Sequence, residues 1–112
     1  MQFSEKYQGA VLLLEIGEAR LEAFNAPELR ELLTGRIENG ANQIVLDLKL
    51  VNFMDSSALG ALIGAIKKMG PLGTLALAGA TGPVLQLLKL TRMDKVFPLY
   101  TSVAAALTKL EE

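Results

Sequence analysis

The sequence has no cysteine and no histidine. Without cysteine there can be no disulfide framework, no thiolate nucleophile and no cysteine-built zinc cluster. A reducing compartment fits that absence. Without histidine the commonest general base at neutral pH is missing. An excess of either charge is missing too. Lys and Arg number 11 and Asp and Glu number 12, for a formal net charge of −1. No global field therefore steers the chain to nucleic acid or to an acidic membrane. Every apolar run is broken by Gly, Pro or charge well short of the roughly 20 residues a membrane helix needs. The opening Met1-Gln2-Phe3-Ser4-Glu5-Lys6 lacks the basic-then-apolar order of a secretory leader. Neither a G-x-S-x-G elbow nor a P-loop is present. These absences describe a soluble, cytoplasmic chain with no metal, no cofactor and no direct contact with nucleic acid or membrane.

What is present is apolar and periodic. The 112 residues, 51% of them hydrophobic, suffice for one packed domain over residues 1–112 and are too few for two ordinary ones. Ala10-Val11-Leu12-Leu13-Leu14-Glu15-Ile16 ends at Gly17 and reads as a strand, with 3–7 as its hairpin partner across Gln8-Gly9. Asn25 is placed to cap a helix, Pro27 fits its first turn, and Leu29, Leu32, Leu33 and Ile37 recur at helical spacing before Asn39-Gly40. Residues 43–48 form a β-branched, apolar central strand. A second helix is predicted from Ser57 to Met69 and ends at Gly70-Pro71, a buried strand over 74–78, and a third helix from Thr81-Gly82-Pro83 to Leu90. Lys95 to Leu99 reads as a short edge strand, where Pro98 is tolerated. Thr101 or Ser102 caps a last helix. The order β-β-α-β-α-β-α-β-α predicts an α/β domain: a mixed, mostly parallel sheet of about five strands with about four helices.

The chemistry concentrates in Val51-Asn52-Phe53-Met54-Asp55-Ser56-Ser57-Ala58-Leu59-Gly60, which follows a central strand and opens a helix. Sites in parallel α/β sheets gather beyond the carboxyl ends of the strands, and the free N–H groups of a helix start aim there. Asp55, Ser56 and Ser57 are all ordinary capping residues, but three in a row exceed what one cap requires. Behind them Ala58, Gly60, Ala61, Gly64 and Ala65 form a small-residue face. It permits close approach by a partner or tight packing on the protein's own sheet. Phe53 and Met54 read as core anchors of the turn. Lys67-Lys68 and Glu111-Glu112 read as solvated charges, and Gly79-Ala80-Thr81-Gly82 as a strand-to-helix turn.

The run Asp55-Ser56-Ser57-Ala58-Leu59-Gly60, behind Val45-Leu46-Asp47-Leu48 and Phe53-Met54, resembles the signature of SpoIIAA/RsbV-type anti-sigma-factor antagonists. The stretches 21–29 and 90–100 match the same family in order and spacing. The resemblance implies a STAS fold in which the second serine of the motif, here Ser57, accepts phosphate from an anti-sigma factor that is also a serine kinase. Asp55 and Ser56 take the supporting positions, and with Ala58, Gly60, Gly64, Glu22 and Asn25 they make up the set expected to bind the partner or support the site. Glu22 stands where the family commonly has Asp. ATP and Mg²⁺ belong to the kinase, and a serine phosphatase resets the cycle. The implied protein is a binding module, not an enzyme. The alternative role within the same fold is that of an interaction subunit in a stressosome or a lipid- or anion-transport complex.

Overall fold

A computed structural model describes residues 1–111. It contains β1 (Phe3–Gln8), β2 (Val11–Ile16), β3 (Arg20–Leu21), α1 (Ala26–Glu38), β4 (Gln43–Asp47), β5 (Phe53–Met54), α2 (Ser56–Met69), β6 (Thr74–Ala78), α3 (Gly82–Leu90), β7 (Leu99–Tyr100) and α4 (Val103–Leu110). A 3₁₀ turn covers Met93–Lys95. The main sheet runs β1-β2-β4-β6-β7, with β1 antiparallel to β2 and the remaining neighbours parallel.

Alternation within the strands divides the interior into two layers. Leu12, Leu14 and Ile16 of β2, Ile44 and Leu46 of β4, and Leu75 and Leu77 of β6 join Leu29 and Leu33 of α1, Leu62 of α2 and Leu88 of α3 in the larger core. The intervening Val11, Val45, Ala76 and Ala78 meet Ala106 and Leu107 of α4 on the other face. Alanine at two successive outward positions of β6 leaves room for a helix to lie close. Helices on both faces explain why β4 and β6 read as nearly unbroken apolar runs. β1, at the edge of the sheet, is exposed along all six residues.

Two features differ from the sequence expectation. The last strand is Leu99–Tyr100, not 95–99. Arg92 takes a left-handed conformation (φ 61°), the 3₁₀ turn follows, and Phe97 is driven into the core with 1% exposure. Pro98 has no N–H, but its carbonyl accepts from Leu77 N at 2.9 Å, so pairing starts at the proline and runs onward. The second difference is a two-stranded parallel ribbon, β3 with β5, pairing Arg20 with Phe53 and Leu21 with Met54. It lies past the carboxyl ends of β2 and β4 and ties the two loops that follow them. Lys67, Lys68 and Glu111 are exposed as expected, with Lys68 paired to Glu38 at 3.4 Å; Glu112 lies outside the described residues. No helix among the described residues is long and apolar enough to cross a membrane.

Candidate functional site

The ribbon fixes where the polar segment emerges. Asn52 N and Phe53 N donate to Ala19 O at 2.7 and 3.2 Å, and Asp55 N donates to Leu21 O at 3.1 Å. Met54 points into the core. Phe53 is half-buried, with the Arg20 guanidinium 4.3 Å above its ring. Both act as the anchors the sequence indicated, and they hold Asp55 at the entrance of α2.

Asp55 is the helix cap. Its Oδ1 accepts from Ser57 N at 2.9 Å and Ala58 N at 3.2 Å, satisfying two donors that a helix start otherwise leaves open. Its Oδ2 accepts from Ala23 N at 3.2 Å in the loop after β3. One carboxylate therefore joins two loops that are 32 residues apart in sequence. Ser56 and Ser57 form the first turn of α2, and both are exposed. Their hydroxyls are not spent on capping.

The expectation that Asn25 caps α1 is corrected. Asn25 occupies the cap position, but its side chain makes no capping bond. Its Oδ1 accepts from Glu22 N at 2.8 Å and its Nδ2 donates to Arg20 O at 2.9 Å. At 2% exposure it is an internal brace for the 20–25 loop, and its burial removes it from any partner surface. Glu22 is held by the Arg20 fork, with Nε and Nη2 donating at 3.0 and 2.9 Å. These bonds hold the Glu22 carboxyl below its ordinary range, while the Asp55 charge acts in the opposite direction.

The small-residue face divides. Ala58, Ala61 and Ala65 are buried in the larger core, so Ala58 supports the turn from inside and cannot touch a partner. A Cβ at Gly64 would lie 3.2 Å from the Arg30 guanidinium of α1, so this glycine serves the α1–α2 packing. Gly60 is exposed with open space around it. Ser56, Ser57 and Gly60 are thus the outward members of the set, and Asp55 and Glu22 stand half-buried beside them. Sequence reasoning missed the loop tip next to Asp55, where Ala23 and Phe24 are exposed. Among the described residues no group of three or more metal-ligating side chains is placed to hold an ion.

With this geometry in place, the comparisons with known proteins agree with one another. A family model for the STAS domain matches residues 4–106. The anti-sigma F factor antagonist of Paenibacillus polymyxa is 32% identical over 109 residues, which is 96% of this chain and 92% of the relative. The crystal structure of an anti-sigma factor antagonist from Mycobacterium paratuberculosis superposes with a TM-score of 0.89 at 25% identity, covering 99% of this chain and 94% of that one. The Bacillus cell fate determinant SpoIIAA, solved in its phosphorylated form, shares the fold with a TM-score of 0.73 at 15% identity over 97% of this chain and 99% of that one. The chain belongs to the STAS-domain family, in its anti-sigma-factor antagonist group.

Proposed function

We propose that this protein is an anti-sigma-factor antagonist of a cytoplasmic partner-switching pathway, turned off by phosphorylation at Ser57. In the unmodified state it docks on an anti-sigma factor that is also a serine kinase and displaces that factor's client. The kinase then modifies Ser57 and the complex loosens; a serine phosphatase restores the first state. The protein acts by binding and performs no chemistry of its own.

The observation that carries this reading is the exposed Ser57 at the start of α2, beside a carboxylate that accepts three backbone N–H groups. A serine hydroxyl needs a base to become a useful nucleophile. Asp55 spends Oδ1 on two backbone N–H groups and Oδ2 on a third, so its role is to orient the turn. The base, Mg²⁺ and ATP come from the kinase. In the transfer, Ser57 Oγ forms a bond to the γ-phosphorus and the bond from that phosphorus to the β–γ bridging oxygen breaks. ADP leaves, and the hydroxyl proton passes to the kinase's base.

The added group carries about −1.5 to −2 charges near neutral pH. At a helix start the fold tolerates it, because the helix dipole favours negative charge there. Its effect falls on the interface instead, where a desolvated dianion beside Asp55 meets acidic groups or bound nucleotide phosphates. A loss of ~3 kcal/mol weakens a complex more than a hundredfold. A pull-down with unmodified protein, followed by addition of ATP, tests the cycle. The expected result is capture of a kinase that releases on ATP, with phosphate mapped to Ser57. Ser57→Ala takes up no phosphate and stays bound. Phosphate found only on Ser56 or on a distant threonine overturns the assignment.

A further inference from the structure

Phe24 is 71% exposed, more open to water than any other aromatic side chain among the described residues. An exposed ring on a slack loop would say little. This ring stands on a loop whose backbone is tied down on both sides. Ala23 N donates to Asp55 Oδ2, Glu22 N to the buried Asn25 amide, that amide to Arg20 O, and Ala26 N to Glu22 O at 2.8 Å. The fold commits a buried asparagine and half of a capping carboxylate to holding a phenylalanine out of the core.

A ring held this way suits binding. Aromatic side chains contribute large contact area while losing only two side-chain torsions. A loop already fixed in shape has little further ordering entropy to lose on association. Interface residues that dominate affinity are enriched in aromatics seated in desolvated pockets. The Asp55 carboxylate that fixes Ala23 also fixes Ser57 N, so the backbone next to the ring and the backbone of the serine are tied through one group.

We infer that Phe24 is the aromatic anchor of the partner interface, inserting into an apolar pocket one ring deep on the anti-sigma factor, with Asp55 as the positioning residue that sets its distance from Ser57. This rests on the function proposed above and adds to it the residue that supplies affinity, as distinct from the one that switches it. Ser57 sets the state of the complex; Phe24 sets its strength.

The test measures affinity for the purified cognate anti-sigma factor loaded with ADP and Mg²⁺. Phe24→Ala is expected to weaken binding at least about tenfold with an unchanged melting temperature, since the ring packs little against its own domain. Leu72→Ala is the control. Leu72 is 96% exposed beyond the far end of α2, and its loss is expected to change affinity less than about twofold. The inference is overturned if Phe24→Ala binds like the unmodified chain, or if Leu72→Ala weakens binding equally. If the unmodified chain binds and is phosphorylated at Ser57 while Phe24→Ala is neutral, only the anchor falls. If the unmodified chain does not bind the anti-sigma factor, the function falls and the anchor with it.

Discussion

Two helices start on the same edge of the sheet, and their first turns are built differently. α2 begins behind Asp55, whose carboxylate takes two helix N–H groups and reaches across to a second loop. α3 begins behind Thr81, whose side chain makes no capping bond. It relies instead on Gly82 at φ 55° and on Pro83, which has no N–H to satisfy. Each solution starts a helix. Only the first couples the helix start to another element, and only there do exposed serines follow the cap. The difference teaches that the α2 turn is set apart from the α3 turn less by its cap than by what the cap's second oxygen holds.

The comparison can be broken by mutation. Asp55→Ala is expected to lower the unfolding free energy by about 1–2 kcal/mol, and Thr81→Ala by less than about 0.5 kcal/mol, both read from denaturant melts. Equal losses would mean that the two caps are equivalent. Next in size is a pair of glycines. Gly82→Ala forces an L side chain into the left-handed region and is expected to destabilise by about 1 kcal/mol. Gly60→Ala lies on the exposed side of α2 with open space around it. It is expected to stabilise by roughly 0.5–1 kcal/mol, which thermal unfolding of the two variants resolves by sign.

The smallest effect is a titration. Arg20 holds the Glu22 carboxyl below the ordinary glutamate value of 4.5. A group whose folded value is depressed contributes stability above its unfolded value and loses it as pH falls through the folded one. The Arg20–Glu22 contribution is thus intact above pH 4.5 and falls away as pH drops from there through the lower folded midpoint. A carboxyl-detected NMR titration is expected to place the Glu22 midpoint under 4.5, with the Arg20 Nε–H that donates to it following. The Leu85 amide in α3, which donates to Thr81 O, should stay flat over the same range.

Much of this architecture could be read from residue order. Long apolar strands bounded by glycine, and helices opened by Pro27 and Pro83, carry strong periodic signals, and the helices and long strands fell close to where those signals put them. What escaped was short or depended on distant partners. The ribbon of Arg20–Leu21 with Phe53–Met54 has two residues per strand, too few for alternation to register. The last strand was misplaced because Val96 and Phe97 look like strand residues, whereas Phe97 is a core plug set by the turn at Arg92. At the site, Ser57, Ser56 and Asp55 were legible because hydroxyl and carboxylate groups cluster at a helix start. Asn25 was misassigned as a cap because an asparagine before a helix looks the same whether it turns toward the helix or back to its own loop. Phe24 was silent in the sequence. Its exposure follows from the tethers on its neighbours, not from any local pattern.

The bare outer rim of β1 carries one more consequence. A second copy adding itself edge to edge, antiparallel and about a twofold axis normal to the sheet, must oppose residues of the same parity so that the two pleats match. Centring that register on the middle of the strand sets Glu5 against Glu5, and moving it by one residue sets Lys6 against Lys6. The second register brings two lysines to the closest approach, whereas in the first each Glu5 keeps the Arg36 of its own copy at 2.7 Å. The charge of Lys6 at the middle of the edge strand thus works against ribbon growth, while Glu5, turned to Arg36, ties the same strand to α1.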